Sequence, residues 1–324
     1  MRNALFFFVL LTAAFFIKNI SIAATPDTVK AGVYITSIHD IDFKQKQYDI
    51  SVWLWLRYKK REFDFLQNLE IPQAKSVTKS FSTVDSTDTV GHEIYLLMKL
   101  DCVMQDSWKI NNFPFDRQKL RFSIENSQFD SKELVFVCDT FGKNFDPKYT
   151  LRGWTIDSPS VMVRKRSYET TFGDNTMKTA HSEYSAYVVT LGITRDAVGL
   201  FWKMFLGMYV ALLIAYMCFF IHADGIDSRF GLSVGALFAV IGNKYVVDAS
   251  LPESNSFTLV DTLHGITLIF ILGVIVCNAI SLSLVKNDKG GTAKRFDRIS
   301  AVAFMFVYLA LNIFFIFKAM HVGG

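Results

Sequence analysis

The residues best suited to chemistry in this chain share one apolar segment, where Gly231, Gly235, Phe238, Gly242 and Tyr245 recur at spacings of four, three, four and three. On a helix that spacing makes a single stripe, small apart from two aromatics. Such a stripe has two physical uses. It lets helix backbones approach closely, or, in a ring of helices, it leaves width while Phe238 and Tyr245 form narrow rings that close by dewetting. Asn243, Lys244 and Asp248 lie near the end of the same segment, and Asp261 and His264 begin the next apolar run. Ionisable groups in such surroundings must face water or each other, so Lys244 is expected to pair with Asp261 or Asp248. His264 gives this polar network a group able to titrate near neutral pH, although a purely structural network is the other reading.

Bond-making chemistry finds no support. The six histidines (His39, His92, His181, His222, His264 and His321) show no His-x-x-x-His spacing, no cysteine pair has metal-ligand spacing, and Gly-x-Ser-x-Gly does not occur. No Gly-rich phosphate loop follows a strand, and no internal repeat of the transporter kind is present. The expectation is no enzyme, no cofactor and no metal centre. With a net charge of +4 and scattered basic residues, nothing points to nucleic acid as a partner.

The elements that must position these residues fall into two halves. A chain of 324 residues, 51% hydrophobic with 31 Phe, reads as a membrane protein carrying a sizeable polar domain. Residues 1–24 read as a signal peptide: Arg2, an apolar core from Leu5 to Ile17, then Ala23 and Ala24. An uncleaved helix is the alternative, but the core is short of the roughly 20 residues a span needs, and Lys18 interrupts it. Residues 25–196 read as β structure. Gly32 to Ser37, a polar turn at His39-Asp40-Ile41-Asp42, and period-two Tyr48, Ile50, Val52, Leu54 and Leu56 make a hairpin with one buried face. Further strands are expected at Glu93 to Cys102, Lys119 to Glu125, Leu134 to Cys138, Trp154 to Ile156, Ser160 to Arg164 and Ser185 to Thr194, a spacing that suits an antiparallel β-sandwich. Residues 197–324 hold four membrane-length apolar stretches, about 200–221, 230–251, 258–284 and 299–317. Lys286, Lys289, Lys294, Arg295 and Arg298 gather between the last two, which puts that connection in the cytoplasm and the first domain outside. Four long apolar helices argue against an outer-membrane barrel or a lipid-anchored enzyme. Cys218 and Cys277 lie in apolar spans, and sequence alone leaves Cys102 and Cys138 either paired or free.

Phe113-Pro114-Phe115-Asp116, ahead of four spans, resembles the loop signature of the pentameric ligand-gated ion channels, the Cys-loop receptors. The Gly32-Val33-Tyr34 strand opening and Leu151-Arg152-Gly153-Trp154 resemble strands of the family, and Asp227-Ser228-Arg229 before the second span, Leu251-Pro252 after it, and Arg195 at the end of the last strand fit it in order and spacing. The two cysteines that bracket the loop in animal members are absent, since Asp106 and Leu120 stand there. That departure, with the short connection between the last spans, resembles the prokaryotic branch.

The resemblance implies a homopentamer in the bacterial inner membrane, with a periplasmic sandwich and a pore lined by Asp227, Gly231, Gly235, Phe238, Gly242 and Tyr245. Asp227 implies a bias toward permeant inorganic cations, opposed by Arg229 unless that side chain turns inward. Gating by an unknown small ligand or protons would pass through Arg195, Asp116 and Asp40 or Asp42, together with Phe113, Pro114, Phe115, Leu251 and Pro252. The family's Trp-x-Pro pocket element is missing, Leu69-Glu70-Ile71-Pro72 being a poor substitute. Tyr168 and Phe172 sit where the capping loop of the ligand site would fall, or form an ordinary hairpin. The alternative to a channel is a non-conducting, receptor-like membrane sensor of the same fold.

Overall fold

A computed structural model describes residues 25–85, 93–139, 144–146, 150–157, 159–173, 179–253 and 256–322. The expected signal peptide lies outside the described residues. The first half is a two-sheet sandwich. One sheet runs β4-β5-β2-β1-β7, from β1 (Asp27–Asp42), β2 (Gln47–Tyr58), β4 (Ala74–Asp85), β5 (Ile94–Gln105) and β7 (Leu134–Cys138). The other runs β3-β6-β10-β8, from β3 (Leu69–Glu70), β6 (Arg117–Asn126), β8 (Trp154–Ile156) and β10 (Ser182–Arg195), with β9 (Ser160–Tyr168) also paired to β10. Strict alternation puts Tyr48, Ile50, Val52, Leu54, Leu56 and Tyr58 of β2 in the core. There they meet Phe122, Ile124, Tyr187, Val189 and Leu191 of the second sheet.

Two local features differ from the sequence reading. The polar run His39 to Asp42 is not the hairpin turn. It belongs to β1, whose register with β2 breaks between His39 and Asp42, and the reversal falls at Phe43–Lys46. There the Asp42 side chain accepts from the Gln45 amide at 2.8 Å, and Lys46 takes a left-handed backbone. Strand β4 was hidden by its composition. It is an edge strand, exposed along nearly its whole length, so it carries no buried alternation to read.

The second half is four helices: α1 (Ala197–Tyr216, prolonged by a 3-10 turn, Met217–Phe220), α2 (Ile226–Asp248), α3 (Leu259–Lys286) and α4 (Gly290–Val322). Each is long and apolar enough to cross a membrane. The chain therefore has a β-sandwich followed by a four-helix membrane domain. Helix α4 begins at Gly290, well before the apolar stretch near Ile299, so the basic connection is largely helical and only residues 287–289 turn. Tertiary contact explains the extension, because Ala293 and Asp297 on its first turns are buried. All four cysteines are free, and burial pushes the Cys102 thiol up to about 12.

Gly32 reports how tightly β1 and β2 pack. A Cβ there would lie 2.3 Å from the Trp55 ring, and that ring is held by its Nε1–H donating to Asp139 at 2.8 Å. Gly32→Val should therefore destabilise the sandwich by about 1–3 kcal/mol, the usual range for overpacking. Thermal unfolding of the purified chain checks this, and an unchanged transition would show that Trp55 can move aside.

Candidate functional site

At the junction of sandwich and helices lies a buried ion pair set among aromatic rings. Arg195, the last residue of β10, donates from Nε to Asp116 Oδ1 at 2.7 Å and from Nη2 to Oδ2 at 3.3 Å. The two side chains are only 12% and 1% exposed. The guanidinium also lies over three rings, Trp154 at 4.0 Å, Phe43 at 4.5 Å and Phe113 at 4.8 Å. Gln118 donates to Asp116 Oδ2 at 2.7 Å and closes the 109–118 loop through Lys109.

Asp40 and Asp42 do not join this cluster. Asp40 pairs with His39, the Asp42 carboxylate serves its own turn, and the hairpin contributes the Phe43 ring instead. The hairpin does reach the loop by other atoms: Trp108 stacks on Phe43 at 4.9 Å and donates to the Asp42 carbonyl at 3.1 Å. From the same loop, Phe113 is buried in the helical core with Leu251, and Phe115 meets Phe201 of α1 at 5.6 Å. The Leu259 amide at the start of α3 donates to the Asn111 carbonyl at 2.8 Å. Pro252 is buried beside Leu251.

On α2, Asp227, Gly231, Gly235, Phe238, Gly242 and Tyr245 all lie on one exposed face, with Phe238 67% and Tyr245 77% exposed. A Cβ added at any of the three glycines would meet nothing within 4 Å. Close helix packing within the chain therefore does not explain them. The opposite face, Ser233, Ala236, Val240 and Val247, is buried.

Arg229 turns inward and is 2% exposed. Its Nη2 donates to Asp297 of α4 at 2.6 Å, its Nε to the Ile221 carbonyl at 3.0 Å, and Nη1 lies 3.4 Å from Asn278 Oδ1 on α3. One cation thus ties α2, α3, α4 and the end of α1 together. This tie was not legible in the sequence, because its partners come from separate helices.

At the other end of α2, Lys244 donates to Asp248 at 2.6 Å and to Asp261 at 2.8 Å, meeting both expected partners. Asp261 also completes a capping box with Thr258. His264 Nδ1 bonds the Val260 carbonyl at 2.8 Å, and its Nε2 lies 3.1 Å from the Asn243 side chain.

In the sandwich, Tyr168 and Phe172 form a cluster with Tyr184, at ring separations of 5.4, 5.8 and 6.2 Å. Behind it stands Glu125, 2% exposed, which accepts from Tyr168 at 2.9 Å and Arg166 at 3.2 Å. Burial raises the Glu125 carboxyl above the ordinary range against the pull of these two donors, and burial with the neighbouring carboxylate raises the Tyr168 phenol. Glu125 and Tyr184 are missing from the sequence reading. Glu125 stands in a strand rich in polar residues and next to, not among, its apolar positions Leu120, Phe122 and Ile124, so residue order gave no signal for its burial.

The chain is similar to a glutamate-gated chloride channel of Drosophila melanogaster, at 21% identity over 188 residues, 58% of this chain and 38% of that protein. It spans about two fifths of that relative's length. No family model matches the chain. The likeness supports the pentameric ligand-gated channel superfamily, in keeping with the two-part fold and the four membrane helices of a multi-pass protein.

Two expectations follow. Asp116→Ala leaves Arg195 charged and largely buried, and should cost about 3–5 kcal/mol, whereas Asp116→Ala with Arg195→Met should lose less than the two single losses added. Thermal denaturation of the four forms checks this, and strict additivity would mean that the pair is uncoupled. Folded Glu125 keeps its proton to higher pH than unfolded Glu125, so its contribution to stability is largest in acid and declines as pH rises through the raised value. Glu125→Gln should remove that decline from a pH series of melting temperatures, and an unchanged slope would count against it.

Proposed function

We propose that this chain is one subunit of a homopentameric ligand-gated ion channel in a bacterial inner membrane, its sandwich in the periplasm and its pore lined by α2. The observation that carries the reading is the exposed face of α2. Its glycines have no neighbour to accommodate within the subunit, while Phe238 and Tyr245 project from the same stripe. In a ring of five such helices these rings narrow the passage, and Phe238 is the gate.

Cation selectivity is part of the proposal. Asp227 stands exposed in the first turn of α2, and Arg229, the charge that would oppose it, is bound to Asp297 inside the subunit. Five copies of Asp227 would concentrate cations at that mouth. The relative's printed name is that of a chloride channel, so selectivity is the sharpest point at which this chain would differ from it. The three-residue turn between α3 and α4 and the absence of bracketing cysteines favour the prokaryotic branch. Nothing in the arrangement calls for an enzyme.

Gating by a small ligand or by protons would begin in the sandwich. Tyr168, Phe172 and Tyr184 offer aromatic faces to a cationic group, with Glu125 behind them able to take a proton. The change would reach the membrane through β10, whose end is Arg195, and through the 109–118 loop, which touches α1 by Phe115 and α3 by Asn111. A two-state interface of this kind shifts all five subunits together. The bulk of Phe238 and Tyr245 favours one second reading, a sensor of the same fold that does not conduct.

Purified protein in planar bilayers, recorded under a pH series and a panel of small amines, tests both. A pentameric mass and cation current under one condition are expected, with leak in Phe238→Ala and weaker cation preference in Asp227→Ala. Silence of all three forms, with the pentamer confirmed, would overturn conduction in favour of the sensor.

A further inference from the structure

We propose that the first hairpin carries a binding site for a first-row divalent metal ion of zinc-like ligand preference, built from His39, Asp40 and Asp49. Ligand atoms of the three residues lie within 4.8 Å of one another. Local structure brings them together. His39 of β1 and Asp49 of β2 are register partners, so their side chains share a face of the sheet. In a regular strand Asp40 would point to the other face. The register break after His39 and the left-handed backbone of Asp40, φ 50°, turn it back, and its Oδ2 comes 2.9 Å from His39 Nδ1.

Asp49 supplies a separate indication of a missing partner. Its Oδ1 is buried and has no hydrogen-bond partner among the described residues. A buried carboxylate oxygen without a donor is unfavourable. The Ser51 hydroxyl, two residues along the same face of β2, is committed elsewhere, donating to Asp101 at 2.6 Å. A cation held by this group would satisfy the unpaired carboxylate.

The donor set selects the class of ion. One imidazole with two carboxylates suits zinc or a neighbouring transition metal, whereas calcium and magnesium favour all-oxygen shells. With bonds of about 2.0–2.2 Å the donors must contract toward one another. His39 and Asp40, 51% and 80% exposed at the side chain, are free to make that adjustment and leave a position for water. The hairpin ends in Phe43, stacked on Trp108 and lying beneath Arg195, so a bound ion would brace the segment that touches the domain junction.

The test is a calorimetric titration of the full chain in detergent with zinc chloride, with cobalt absorption as a second readout. One saturable site per chain is expected. His39→Ala and Asp49→Asn should each weaken it at least tenfold, no less than is typical on losing even an outer-shell partner, while His181→Ala leaves it unchanged. Zinc should raise the melting temperature of the wild type and not of His39→Ala. Without metal, Asp49→Asn should melt no lower than wild type, which separates lost binding from lost folding. Absence of saturable binding, or wild-type affinity in either ligand variant, would overturn the site. The outcome does not depend on whether the chain conducts.

Discussion

A buried cation must be held on every side, and this fold depends on meeting that constraint at Arg195. The guanidinium sits where sandwich and helices join, a place with little water to solvate it. Asp116 meets its charge and the rings of Phe43, Phe113 and Trp154 cover its faces. With Arg195 itself at the end of β10, these groups come from three further segments: Phe43 from the first hairpin, Phe113 and Asp116 from the Pro114 loop, and Trp154 from the short strand β8. Satisfying one charge therefore fixes the relative placement of four pieces of chain. Replacement by an apolar group could be tolerated energetically, but it would not specify that arrangement with the same directionality.

Arg229 solves the same problem at the far end of the membrane domain, with a different effect. There the partners are Asp297, Asn278 and a backbone carbonyl, and the result is a bundle end knotted by hydrogen bonds. Burying Arg229 also removes its charge from the face of α2 that carries Asp227. A structural ion pair and an electrostatic consequence at the surface are thus two sides of one side-chain orientation.

The periodic elements were legible in the sequence, and the irregular ones were not. Tyr48 to Leu56 announced a half-buried strand, and the apolar runs announced four helices, because burial writes its period directly into residue order. Strand β4 has no buried face, so it left no period. The hairpin turn was misplaced by a few residues because Asp40 and Asp42 look like turn residues while serving in a bulged strand. Among the residues singled out, those clustered in sequence or on one helix face could be grouped from residue order alone: the Phe113–Asp116 loop, the exposed stripe of α2, and Lys244 with its two acids. Glu125, Tyr184 and the Arg229–Asp297 tie required the tertiary fold, since each depends on residues far apart in the chain. The same distance hides His39 and Asp49, which no local ligand spacing connects.

The hydrogen bond from the Leu259 amide to the Asn111 carbonyl makes the sandwich part of the termination of α3. One donor at the start of that helix is satisfied not by its own chain neighbours but by the domain outside the membrane. The two halves are therefore not interchangeable modules. A chimaera that exchanged the sandwich for another would have to bring a loop with a carbonyl at the same place, or leave the third helix to fray at the end nearest the junction.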